Sequence, residues 1–176
     1  MEYNKDYHTI SGSRLKFSKK PSKVRFAAHA AMIAAVYVAV TYLIAPLGFG
    51  PVQARVAEAL TVLPYFTPAA VPGLFVGCLI SNMISPYGLV DLICGSLATL
   101  IAAICSYGLR RWKWLVPLPP IIVNALIIGP MLAYLTGEHG MFWWFVLSVG
   151  IGQVGSCYGL GCLVIITLEK YDWIFE

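Results

Sequence analysis

In a chain made mostly of apolar residues, few side chains can do chemistry. Away from the basic clusters and the tails, the charged residues are Arg55, Glu58, Asp91 and Glu138. Asn82, Asn124 and Gln153 are the uncharged polar residues expected to be buried. Arg55 and Glu58 are three residues apart, near enough on a helix to pair. They read either as a structural ion pair or as a ligand-binding carboxylate beside its counter-charge. A partly desolvated carboxylate next to an arginine stays ionised and accepts hydrogen bonds strongly. Asp91 opens an apolar run, where it either complements a helix N-terminus or meets a ligand. The three amides serve equally well as interhelical hydrogen bonds or as ligand contacts. Flat apolar walls are available from Trp143 and Trp144, and from Phe49 and Tyr87 in loops. Tryptophan at a membrane interface is usually an anchor; the alternative for Trp144 and Phe49 is stacking on a ligand.

Other chemistries lack their residues. No G-x-x-x-x-G-K-[ST] occurs, so the chain does not hydrolyse ATP through a P-loop. His8, His29 and His139 are scattered and form no H-E-x-x-H, which leaves an enzyme reading poor and gives no reason to expect a metal or cofactor. Cys78, Cys94, Cys105, Cys157 and Cys162 lie in apolar runs without a C-x-x-C, and read as small hydrophobic fillers.

The elements that hold these residues follow from composition. Of 176 residues, 59% are hydrophobic and 11% charged, against about 25% charged in soluble domains. Apolar runs at 26–44, 89–109 and 141–168 are each long enough for a helix to cross a bilayer. The chain therefore reads as an all-α integral membrane protein. Basic residues cluster before the first run, at Arg110, Arg111 and Lys113, and at Lys170. Cytoplasmic loops collect Lys and Arg, so these clusters belong on one side. The basic leader reads as a topology signal with affinity for anionic lipid, not as a nucleic-acid site.

Parity then organises the middle of the chain. The first helix, about 26–47, leaves the cytoplasm and the helix at 89–109 returns to it. The stretch 56–84, broken by Pro64, Pro68 and Pro72, must cross twice or not at all. Two short helices turning at 65–68 are expected, with a re-entrant hairpin as the alternative. A fifth helix covers about 114–135, with an irregular start at its prolines, and a sixth covers 141–168. The expectation is six transmembrane helices with both termini cytoplasmic. Residues 1–25 form a leader, 26–170 the membrane domain and 171–176 a tail. Arg55, Glu58, Asp91 and Glu138 should then all lie toward the external side.

Small residues recur at helical spacing. Ala27, Ala31, Ala35 and Ala39 fall every four positions in the first helix, with Ala30 and Ala34 beside them. Gly73-x-x-x-Gly77 and Gly155-x-x-x-Gly159 repeat the pattern. Such faces allow close helix approach, within the chain or to a separate subunit.

Several ordered motifs resemble one family. Gly48-Phe-Gly-Pro-Val-Gln-Ala-Arg55 runs into Val56-Ala-Glu-Ala-Leu-Thr-Val-Leu-Pro64. They are followed by Ala70-Val-Pro-Gly-Leu-Phe-Val-Gly-Cys78-Leu-Ile-Ser-Asn82 and Asp91-Leu-Ile-Cys-Gly-Ser-Leu-Ala-Thr-Leu100. Pro117-Leu-Pro-Pro-Ile-Ile-Val-Asn-Ala125, Cys157-Tyr158 and Ala31-Met-Ile-Ala-Ala35-Val-Tyr37 complete the set. From about residue 27 to 170 the chain is similar to the QueT family. The resemblance implies a six-helix substrate-binding (S) component of an energy-coupling factor (ECF) importer for queuosine precursors. It implies as partners the transmembrane coupling protein EcfT and two ATPase subunits. It also implies an A-x-x-x-A docking motif, best matched by Ala31 and Ala35 and extended by Ala27. One departure stands out: the family carries an acidic residue before its Cys-Tyr motif, where this chain has Gln153.

The residues suit such a ligand. A 7-deazaguanine presents a ring N–H and an exocyclic amine on one edge, matching one carboxylate, Glu58 first and Asp91 second. Its carbonyl accepts from Arg55, Asn124 or Gln153, and its ring stacks on an aromatic side chain. The loop 48–55 would cover the site. The rivals are an ion- or proton-coupled carrier acting alone, an S component for another small vitamin-like molecule, and a structural membrane subunit.

Overall fold

The computed structural model describes residues 22–44 and 56–171; Phe49, Arg55 and the loop 48–55 lie outside the described residues. Helix α1 spans Lys23–Leu43, and its start is capped by Ser22, whose hydroxyl accepts from the Arg25 backbone N–H at 3.3 Å. A 3₁₀ segment, Val56–Tyr65, precedes α2 (Ala70–Ser81), which a 3₁₀ turn extends to Ile84. Helix α3 is Gly88–Gly108 and α4 is Leu118–Thr136, closed by Gly137 at φ 74°. The last helix begins as α5 (Phe142–Val154), widens to a π segment at Gly155–Leu160, and continues as α6 (Gly161–Leu168). Among the described residues there is no strand.

Four helices are long and apolar enough to cross a membrane: Lys23–Leu43, Gly88–Gly108, Lys113–Thr136 and Phe142–Tyr171. Val56–Tyr65 and Ala70–Ile84 are apolar but shorter. The expected break at 65–68 is present, as a turn in which the Phe66 and Thr67 amides both donate to the Leu63 carbonyl. The helix after the prolines starts at Leu118, behind a 3₁₀ turn at Lys113–Leu115. The outward surface of these helices is apolar, with Leu43, Leu89, Leu126, Trp143 and Ile151 exposed. Such a surface is stable against lipid, where the backbone must be satisfied within the chain.

The packing settles which small residues act within the bundle. A Cβ at Gly73 would stand 2.7 Å from the Ala30 carbonyl oxygen, and one at Gly77 would stand 2.9 Å from Tyr37 Cβ. The Gly73-x-x-x-Gly77 face therefore seats α2 on Ala30, Ala34 and Tyr37 of α1. Ala30 pairs with Gly73 and Ala34 with Gly77, so the two helices run parallel. Gly155 and Gly159 meet no neighbour within 4 Å and do not work in this way.

Parallel α1 and α2 require the 3₁₀ segment to return the chain between them. Its residues Ala57 to Ala59 and Thr61 to Tyr65 are buried. At about 2.0 Å per residue it covers about 20 Å, more than an α-helix of equal length. One end of the bundle is then tied by polar contacts. Tyr65 Oη donates to Glu169 at 3.2 Å, and Lys113 Nζ pairs with Glu169 at 3.0 Å. Ser106 Oγ donates to the Val116 carbonyl at 2.8 Å, and Tyr158 Oη to the Trp114 carbonyl at 3.0 Å. The 65–68 turn, the α3–α4 loop and the end of α6 thus share that end.

Candidate functional site

The 3₁₀ segment carries a carboxylate into the middle of the bundle. Glu58 is 0% exposed. Its Oε1 accepts from Tyr37 Oη at 2.8 Å and from Thr99 Oγ1 at 3.5 Å, and its Oε2 from Asn124 Nδ2 at 3.4 Å. These partners come from α1, α3 and α4, and Thr99 sits near the middle of its helix. Glu58 is therefore at mid-depth, not toward the external end where the topology alone put it. A charge this deep needs hydrogen bonds from several sides, because an unpaired buried charge is very costly.

The network extends in two directions. Toward the last helix, Thr61 Oγ1 donates to the Glu58 backbone carbonyl at 2.6 Å, and Cys157 Sγ lies 3.6 Å from the same oxygen. Cys157 also donates to Gln153 Oε1 at 3.3 Å. Toward α2, Thr99 Oγ1 stands 3.2 Å from Cys78 Sγ, and Asn82 Nδ2 donates to that sulfur at 3.4 Å. Asn82 Nδ2 also donates to the Asp91 backbone carbonyl at 3.1 Å, while the Ser85 hydroxyl donates to the Asp91 carboxylate. Asp91 is buried in the first turn of α3. It ties the α2–α3 turn to a helix N-terminus, where a carboxylate is favourable.

Of the residues singled out by sequence, the structure brings together Glu58, Asn124, Gln153 and Asn82, with Asp91 at the far end. Trp144 is elsewhere: it is 62% exposed on the outer face of α5, next to exposed Trp143. Ala27, Ala31 and Ala35 are exposed along α1, whereas Ala34 is buried. Arg55 and Phe49 lie outside the described residues.

Sequence reasoning missed Tyr37, Thr61, Thr99, Cys78 and Cys157. The two cysteines fill buried space as expected and also stand between polar groups. Both are buried free thiols, and a thiol is a weak donor and a weak acceptor, enough to link stronger groups. Tyr37 and Thr99 left a readable signal as polar atoms interrupting apolar helices. The π segment left none: it sits where Cys157 faces the Glu58 backbone, and π-bulges are frequent at functional sites.

An all-helical, multi-pass membrane protein with a polar centre in an apolar bundle is the class these features define. The chain belongs to the QueT transporter family, whose model matches residues 27–170. It is also similar to the queuosine precursor transporter QueT of Lactococcus lactis subsp. cremoris (strain MG1363), 36% identical over 84 residues. That match spans 47% of this chain and 49% of the relative, about half the length of each. No solved structure matches the chain.

Proposed function

We propose that this chain is the substrate-binding subunit of an ATP-driven ECF-type importer and captures a queuosine precursor of the 7-deazaguanine type. The observation that carries the reading is the Glu58 centre: a mid-bundle carboxylate, ringed by hydroxyl and amide groups, in a chain of a transporter family. The relative's name supplies the ligand class. A deazaguanine edge with two N–H donors suits a carboxylate acceptor, and hydrogen bonds to a charged group contribute about 1.5–3 kcal/mol each. Glu58 is the first acceptor, with Asn124 and Gln153 beside it and Asn82 holding the neighbouring turn. Asp91 stands second, and Arg55 and Phe49 belong to the covering loop. Apolar walls with a few placed polar groups are the usual form of a small-molecule site.

Transport in this reading needs partners. The chain crosses the membrane six times with both termini cytoplasmic, and the Tyr65–Lys113–Glu169 end faces the cytoplasm. The exposed face of Ala27, Ala31 and Ala35 docks on EcfT, and two ATPase subunits supply the energy. Two features favour a separate partner for that face: Ala30 and Ala34 already serve α2, and the outer alanines are left outward. The test is to express the chain with and without a coupling protein and two ATPases, and to measure uptake of labelled 7-deazaguanine. Uptake only with the partners supports the proposal. Uptake by the chain alone makes it a lone carrier, and binding without uptake in either case removes the importer assignment.

A further inference from the structure

We propose that Gln153 is the specificity-determining donor of this site and that Cys157 is the positioning residue that aims its amide. The inference rests on the ligand reading above and sets which ring polarity the site accepts. Gln153 is 2% exposed, and its Oε1 is taken by the Cys157 thiol at 3.3 Å. Its Nε2 carries both N–H donors and has no hydrogen-bond partner among the described residues. The residue is almost wholly buried and this donor is left open, poised for an acceptor that arrives with the ligand.

The thiol has one proton, and its surroundings direct it. Thr61 Oγ1 already donates to the Glu58 carbonyl at 2.6 Å, and the thiol is farther from that oxygen, at 3.6 Å, than from Gln153 Oε1. Gln153 Oε1 is the nearer and less served acceptor. Donation there holds the amide with its NH₂ turned away from the sulfur. The π segment begins at Gly155, between Gln153 and Cys157, and places the thiol against the Glu58 backbone and Gln153 at once. Asn124, on the neighbouring helix, is turned the opposite way. Its Nδ2 donates to Glu58, and its Oδ1 has no partner among the described residues. The site thus offers one amide donor and one amide acceptor. A ring carbonyl beside the N–H edge that meets Glu58 matches the Gln153 donor. A ring with an amine in place of the carbonyl sets two donors against each other at Gln153.

The experiment titrates the full-length purified protein with two rings, 7-deazaguanine and its analogue bearing an amine in place of the carbonyl. Wild type should bind the oxo ring about tenfold tighter. Gln153→Leu should lower the ratio of affinities severalfold, the remainder being the ring N–H that meets Glu58 and that the amine analogue lacks, and Gln153→Met should do the same if the leucine variant does not fold. Cys157→Ala should lower the ratio by freeing the amide to turn, and Cys157→Ser should restore it by returning a donor. A thiol that only fills space would not make affinity follow ring polarity. An unchanged ratio in the Gln153 variants, or equal wild-type affinity for the two rings, overturns the assignment and leaves the ligand reading standing. Wild type binding neither ring overturns the ligand reading, and this inference with it.

Discussion

Replacing Glu58 by glutamine removes a charge and changes almost nothing in shape. The side chain keeps one carbonyl oxygen, so Tyr37 Oη, the partner at 2.8 Å, still finds an acceptor. The bonds from Asn124 and Thr99 are long, at 3.4 and 3.5 Å, and contribute less. Folding should survive at a loss of about 1–2 kcal/mol, because the Tyr37 bond falls from the charged range to the neutral one and Asn124 must turn its oxygen toward the new amide N–H. Binding should suffer more. One of the two ligand donors that met a carboxylate oxygen now faces an amide N–H, so affinity for 7-deazaguanine should fall about tenfold or more, the loss of one hydrogen bond to a charged group. Calorimetry in detergent measures this directly, with thermal unfolding as the control for fold. Tyr37→Phe supplies a second arm. It removes the hydroxyl that fixes the carboxylate, and combined with Glu58→Gln its effect on affinity should be clearly less than additive, since both act through one group. Unchanged affinity in Glu58→Gln would refute the reasoning, leave Glu58 as a structural centre and move Asp91 forward.

Ala31→Trp and Ala35→Trp should abolish co-purification with the coupling protein and stop uptake, with ligand binding in detergent unchanged; loss of binding would show that the alanines pack internally. On a cysteine-free background, Glu138→Cys should react with an impermeant thiol reagent added to intact cells and Trp112→Cys should not; the reverse pattern sinks the six-crossing topology. Gly73→Leu should destabilise the bundle by about 1–3 kcal/mol, the usual cost of overpacking, seen as a lower unfolding temperature, because its Cβ alone falls 2.7 Å from the Ala30 carbonyl oxygen.

Helix positions were largely legible in the chain because apolar runs and prolines speak directly to a bilayer. The turn at 65–68, the irregular start before Leu118 and the pairing capacity of Gly73 and Gly77 were all visible as residue types. The depth of Glu58 was not, because parity fixes the direction of a segment and says nothing of how deep a given residue sits. A 3₁₀ run of ten residues is rare enough that no sequence pattern foretells it. The π segment was hidden for a similar reason: Gly155–Leu160 reads as ordinary helix until Cys157 is seen facing the Glu58 backbone. Gln153, Asn124 and Asn82 were found because an amide in an apolar run is conspicuous. Cys78 and Cys157 were passed over because a thiol resembles its hydrophobic neighbours. Trp144 illustrates the converse, an aromatic residue whose place at the start of a membrane helix fits an outward anchor, and the structure leaves it outward.

The sheathed 3₁₀ segment also constrains how the protein is made. A run of ten residues with a carboxylate in its first turn is too short to span lipid as it leaves the ribosome. Of the described side chains that hold the Glu58 region, Tyr37 precedes it and Thr61 lies within the segment, while Thr99, Asn124 and Cys157 emerge afterwards. The segment must therefore wait near the membrane surface until α3, α4 and the last helix have been delivered. Chains truncated at Ser81 and released into the membrane should leave Val56–Tyr65 open to protease, and the full-length chain should not.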